Sequence, residues 1–124
     1  MPLLLISLFG LLGVLCRYGL DVWVAQRYTT EFPVSTFVIN AVGCAIAGTV
    51  FTLGAAGKIP SPALTMGLIV GFCGGFTTFS AYALQTVLLA EKTGWTGALC
   101  YFLLSPVIGF AAAFLSIAAT RSLL

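Results

Sequence analysis

The sequence predicts an all-α integral membrane protein of four transmembrane helices. Three observations predict it: an extreme composition, four apolar runs of spanning length, and very short polar segments between them. Hydrophobic residues fill 60% of the 124 positions and charged residues only 6%, and the mean hydropathy is +1.15. Soluble domains carry about 25% charged residues. A water-soluble fold of this length has no interior large enough to hide so much apolar surface, so lipid must be the solvent. The net charge of +2 is small and scattered, which argues against a nucleic-acid partner.

A helix needs about 20 apolar residues to cross the hydrocarbon core. The first run extends from about Leu3 to Tyr28 and holds Arg17 and Asp21, four apart and so on one helical face, where they are expected to neutralise each other in part. Its start has no basic region and no small-residue cleavage site, so this span is expected to be retained. Pro33 closes a short polar turn. The second run covers about Ser35 to Ala56 and contains one amide, Asn40. Gly57 to Pro62 is a turn by composition. The third run covers about Ala63 to Ala90, a Glu91-Lys92-Thr93-Gly94 loop follows, and the fourth covers about Gly97 to Ala119. The whole of 1–124 reads as a single membrane domain with both termini on one side.

The loops are too short to hold a soluble domain, so function must lie within the membrane. The chain has no histidine, and Asp21, the one carboxylate inside a run, has an arginine for a neighbour. Acid–base, zinc and nucleophilic-triad chemistry therefore lack their parts, and no enzyme is expected. Cys16, Cys44, Cys73 and Cys100 each fall inside an apolar run without metal-ligand spacing and read as small packing residues.

Orientation is set by the Lys/Arg difference between the two sets of loops. Lys58 and Arg121 lie on the side of the termini, and Arg27 and Lys92 on the other. Such a tie admits insertion both ways, and with it an inverted pair related by an axis in the membrane plane. It equally admits one orientation fixed by a partner or by lipid.

The third run contains Gly71-Phe72-Cys73-Gly74-Gly75-Phe76-Thr77-Thr78-Phe79-Ser80, which is poor helix. Each glycine weakens a helix by up to about 1 kcal/mol relative to alanine, and β-branched threonines follow. Unwinding at membrane depth is tolerated where protein or a water-filled cavity satisfies the backbone. Freed carbonyls suit a cation, and freed amides an anion. The bland reading is that Gly74 and Gly75 are small residues for close helix packing.

This string resembles the third-helix signature of the small fluoride channels called Fluc, or CrcB proteins. Gly13 to Arg17-Tyr18, the Ser35-Thr36-Phe37-Val38-Ile39-Asn40 string, and Tyr101 with Ser105 match in order, so the resemblance covers the whole chain. It implies a bacterial inner-membrane, multi-pass channel that works as an antiparallel dual-topology homodimer, with its third helix broken mid-membrane. It also implies two fluoride pores and a structural Na+ at the dimer centre, held by the backbone carbonyls of Gly74 and Thr77. By motif position, Phe79 and Tyr82 would line the pore with ring edges, which are the positive rim of the aromatic quadrupole. Three residues apart, these two rings also suit ordinary helix packing.

Asn40, Ser80, Tyr101 and Ser105 are the expected polar groups that replace fluoride hydration, with Asn40 serving alternatively to tie helices together. Arg17 is expected to make a vestibule attractive to anions. The chain departs from the family at Tyr82, usually phenylalanine, at Ala81 and Gln85, often threonine and glutamate, and at Ser35, usually glycine. The tyrosine hydroxyl could donate to fluoride, obstruct it, or mark a need for a non-identical paired subunit. Two other functions compete. A proton-coupled dual-topology exporter of cationic drugs needs a free embedded carboxylate, for which only Asp21 is present. A non-transporting assembly subunit predicts no ion flux.

Overall fold

A computed structural model describes residues 1–124. Four helical segments are long and apolar enough to cross a membrane, Pro2–Arg27, Val34–Ala55, Pro62–Thr93 and Trp95–Leu123, and the chain has no strands. The protein is a multi-pass membrane protein. Helix α1 spans Pro2–Arg27, opened by Pro2 where a missing N–H does no harm. Arg27 in its last turn stacks over the Trp23 ring at 4.4 Å, placing a cation at the negative helix end. Helix α2 spans Val34–Ala55 and ends on Gly57, whose φ of +68° takes the chain out of the helix.

The third segment is built in pieces. Helix α3 (Pro62–Met66) starts at Ser61, whose hydroxyl accepts the Leu64 N–H at 3.2 Å. A π-helical stretch, Gly67–Cys73, and a short α4, Gly74–Phe76, follow. Thr77 and Thr78 have extended backbone, and α5 then runs over Phe79–Thr93. The expected loop at Glu91 to Gly94 is shorter than its composition suggested. Glu91 to Thr93 complete α5, and Gly94 at φ +87° turns the chain into α6, Trp95–Leu123.

Helix α1 packs along the π-helical stretch and α4, α2 packs along α6, and α5 closes on α6. Only 16 of 124 residues are buried, which leaves most apolar side chains for lipid or a partner. The best-buried cluster is Tyr82, Leu89, Ala98 and Tyr101, covered by Phe32, Phe37 and Ala90. Lys92 Nζ lies 3.4 Å from Glu31, joining the end of α5 to the α1–α2 turn. Both groups are largely exposed, so the pair adds little stability.

The sequence pointed to the Gly71–Ser80 run, glycines and threonines together, as poor helix, and the break falls within it. Of its members Gly74 and Gly75 are both helical, and the interruption falls at Thr77 and Thr78. Gly75 serves close packing: a Cβ there would sit 2.5 Å from the Gly10 carbonyl oxygen of α1. Gly13 faces the same seam, where a Cβ would run into the Phe72 carbonyl and come within 2.9 Å of the Phe76 nitrogen. Gly74 is exposed, and a Cβ on it would meet nothing nearer than Ile69 O at 4.0 Å.

Candidate functional site

The interruption between α4 and α5 frees backbone groups, and specific side chains take them up. Thr78 N–H donates to Asn40 Oδ1 at 2.8 Å, and Asn40 Nδ2 donates back to Thr78 O at 3.1 Å. One amide on α2 therefore replaces both hydrogen bonds that a continuous helix would give Thr78. Thr78 also caps α5, its Oγ accepting the Ala81 N–H at 3.2 Å. Thr77 Oγ donates to Cys73 O at 2.8 Å. The Gly75 carbonyl, whose normal helical partner lies beyond the interruption, accepts from Arg17 Nε at 3.2 Å. The carbonyls of Gly74 and Thr77 accept no hydrogen bond from within the chain.

The expected Arg17–Asp21 pair is not formed. The sole salt bridge in the chain is Lys92–Glu31. Arg17 reaches the third segment instead, and Asp21 accepts a hydrogen bond from the Ser35 hydroxyl of α2. Both partners lie off α1, so a shared helix face did not decide the pairing.

Beside the interruption lies a cleft of about 250 Å³ lined by Asn40, Cys44, Phe79, Tyr82, Ser105, Pro106, Gly109 and Phe110. Four of the expected site residues thus meet: Asn40 from α2, Phe79 and Tyr82 from α5, and Ser105 from α6. Phe79 is 79% exposed, and its ring lies 5.7 Å from that of Tyr82, tilted by 52°. One N–H of the Asn40 amide remains beyond the one given to Thr78. Ser105 is buried, makes no hydrogen bond within the chain, and has its hydroxyl open to the cleft. No charged side chain lines the space.

The other expected residues sit elsewhere. Ser80 is exposed in the first turn of α5, its Oγ 3.3 Å from that of Thr78. Tyr101 is fully buried behind Tyr82, with ring centroids 5.3 Å apart, and donates its hydroxyl to Gln85 Oε1 at 3.2 Å. Gln85 in turn lines a second recess of about 230 Å³ with Glu31 and Lys92. The Tyr82 hydroxyl does not point into the cleft as a free donor. It donates to Phe102 O at 2.6 Å. Sequence reasoning missed Cys44, Pro106, Gly109 and Phe110. Cys44 follows Asn40 by four, and Gly109 follows Ser105 by four, so helical periodicity from the polar residues would have found both.

No group of three His, Cys, Asp or Glu side chains is placed to hold a metal ion.

Four apolar helical segments, an interrupted third one, and an uncharged cleft where two aromatic rings meet small polar groups define a multi-pass α-helical membrane protein with a partly polar cleft among its helices. The chain matches the family model described as "CrcB-like protein, Camphor Resistance (CrcB)" over residues 4–117, and it belongs to that family. It is 34% identical over 119 residues to a fluoride-specific ion channel, FluC, of Sorangium cellulosum, covering 96% of this chain and 94% of that protein. It is 37% identical over 116 residues to the channel of the same name from Geotalea daltonii, with 94% of each chain covered. It is 40% identical over 107 residues to that of Desulforapulum autotrophicum, with 86% of each covered.

Proposed function

We propose that this protein is a fluoride-selective channel of the bacterial cytoplasmic membrane, and that it lowers cytoplasmic fluoride by passive exit. The observation that carries the reading is the uncharged cleft in which Asn40 and Ser105 offer donors beside the rings of Phe79 and Tyr82. It stands with membership in a family whose similar members are fluoride-specific channels. Fluoride is small and strongly hydrated, so leaving water is costly unless donors replace the hydration shell. An amide N–H and a hydroxyl do so directly, and ring edges add a weaker positive rim. Chloride is larger and a weaker acceptor, and gains less from the same groups.

Fluoride enters cells as neutral HF in acid surroundings and dissociates inside, so a passive channel suffices to remove it. Proton coupling would need a carboxylate in the path, and none lines the cleft. Arg17 supports a positive potential at the pore mouth, with its Nε anchored on Gly75. The balanced loop charges support an antiparallel homodimer. Within it the exposed Gly74 faces the partner, and the carbonyls of Gly74 and Thr77 from both copies hold Na+, a hard cation suited to oxygen ligands. That ion would supply positive charge that ties the two interrupted segments together.

The test is efflux from liposomes holding the purified protein, followed with a fluoride electrode against matched chloride-loaded vesicles. The expected result is rapid fluoride loss with negligible chloride loss, and a flux that falls at least tenfold in Phe79→Ile, the scale of about 1.4 kcal/mol at a pore-lining ring. Well-folded protein that releases no fluoride would overturn the reading.

A further inference from the structure

Pro106 lies in the interior of α6. It has no N–H, so the carbonyl four residues earlier, that of Phe102, loses its helical donor. Within a membrane such a carbonyl must find another partner, because no water in the hydrocarbon core can supply one. The partner here is the Tyr82 hydroxyl at 2.6 Å, the shortest side-chain-to-backbone hydrogen bond in the chain. Tyr82 and Pro106 both line the cleft beside Phe79 and Ser105. The Tyr82 ring is held as well by the Phe102 ring, stacked at 6.2 Å and 10°, and by Tyr101 at 5.3 Å.

We infer that the Tyr82 hydroxyl is a positioning group. It stands in for the N–H that Pro106 lacks, fixes the ring at the cleft wall, and keeps the Phe102 carbonyl from presenting an acceptor to the ion path. An unmasked carbonyl there would repel an anion and recruit water or a cation. The tyrosine that departs from the family's phenylalanine is then coupled to a proline one helix away, and it neither donates to fluoride nor blocks the cleft. This inference rests on the fluoride-channel reading only for its effect on flux.

The test is a double-mutant cycle in the full-length protein, with Tyr82→Phe, Pro106→Ala and the combination read in two ways: fluoride efflux from liposomes and thermal unfolding in detergent. Tyr82→Phe alone is expected to lower flux on the order of tenfold and to lower the unfolding temperature, because a carbonyl at membrane depth is left unpaired. In the Pro106→Ala background, where residue 106 again donates to Phe102 O, the same substitution should change both readings little. Equal losses in both backgrounds would overturn the inference and leave the hydroxyl acting on the ion or through ring packing. No loss in either background would overturn it as well. If the unaltered protein released no fluoride, the channel reading and the effect on flux would fall together, and the unfolding cycle would still decide whether Tyr82 replaces the missing N–H.

Discussion

Asn40 holds the interrupted segment through a single residue, accepting from Thr78 N–H and donating to Thr78 O. Substitutions separate these two halves. Asn40→Asp keeps the acceptor, loses the donor and places a negative group in the cleft, whereas Asn40→Ala loses both. Two neutral hydrogen bonds at about 1 kcal/mol each put the Asn40→Ala loss near 2 kcal/mol. Thermal unfolding should therefore rank the native protein above both variants, with Asn40→Asp lowest because its carboxylate is desolvated and set against the Thr78 carbonyl. Fluoride efflux should fall at least as far in Asn40→Asp, since a carboxylate repels the anion. Equal unfolding temperatures for all three would show that the Thr78 contact carries no stability. The sequence makes Asn40 visible as a lone amide in an apolar run, but its partner 38 residues away is not visible. The Arg17–Asp21 expectation failed for a related reason. A spacing of four places two side chains on one face, and here the Gly75 carbonyl and the Ser35 hydroxyl compete for them from other helices.

At the scale of the element, the third segment divides its glycines between two tasks. Gly75 lets α1 approach until the Gly10 carbonyl would lie 2.5 Å from an added Cβ, whereas Gly74 has open space around it. Gly75→Ala must push α1 outward, and overpacking of this kind costs about 1–3 kcal/mol. Gly74→Ala should leave the packing of one subunit intact and act only on whatever meets that exposed face. Unfolding of the monomeric fraction in detergent should thus detect Gly75→Ala and not Gly74→Ala, and Gly74→Ala should lower flux if a second copy packs there. A destabilised Gly74→Ala monomer would contradict the division. The sequence announced an interruption in this run, and of the glycines and threonines that weaken it only Thr77 and Thr78 leave the helix. Helix propensity penalises glycine, yet Gly75 is packed tightly against α1 and both glycines stay helical. The backbone leaves the helix where Thr78 caps α5 and Asn40 supplies substitutes for the lost bonds. The number and order of the spans follow from apolar run length alone, which is why they were legible. The extension of α5 to Thr93 was not, because Glu91 and Lys92 suit a helix end as well as a loop.

Across the whole molecule, the few charges set how it sits in the membrane. Lys58 and Arg121 oppose Arg27 and Lys92, and with 6% charged residues there is little else to choose an orientation. If the working unit is a pair of oppositely inserted copies, the tie is a requirement, because a bias would deplete one of the two orientations. Replacing Lys58 and Arg121 by glutamine removes both positive charges from the terminal side, so the loops carrying Arg27 and Lys92 should be retained in the cytoplasm. Replacing Arg27 and Lys92 should give the opposite insertion. Reporter fusions at the C-terminus, scored for cytoplasmic or external location, would show whether each variant adopts one orientation. Each variant alone should then give little fluoride resistance in cells lacking their own fluoride exporter, and co-expression of the two should restore it. Full resistance from one variant held in a single orientation would exclude the antiparallel pair, and the exposed Gly74 face and the unclaimed carbonyls beside it would need a parallel partner. Restoration only on co-expression would establish that the balanced charge of this chain is what allows one sequence to supply both halves of the channel.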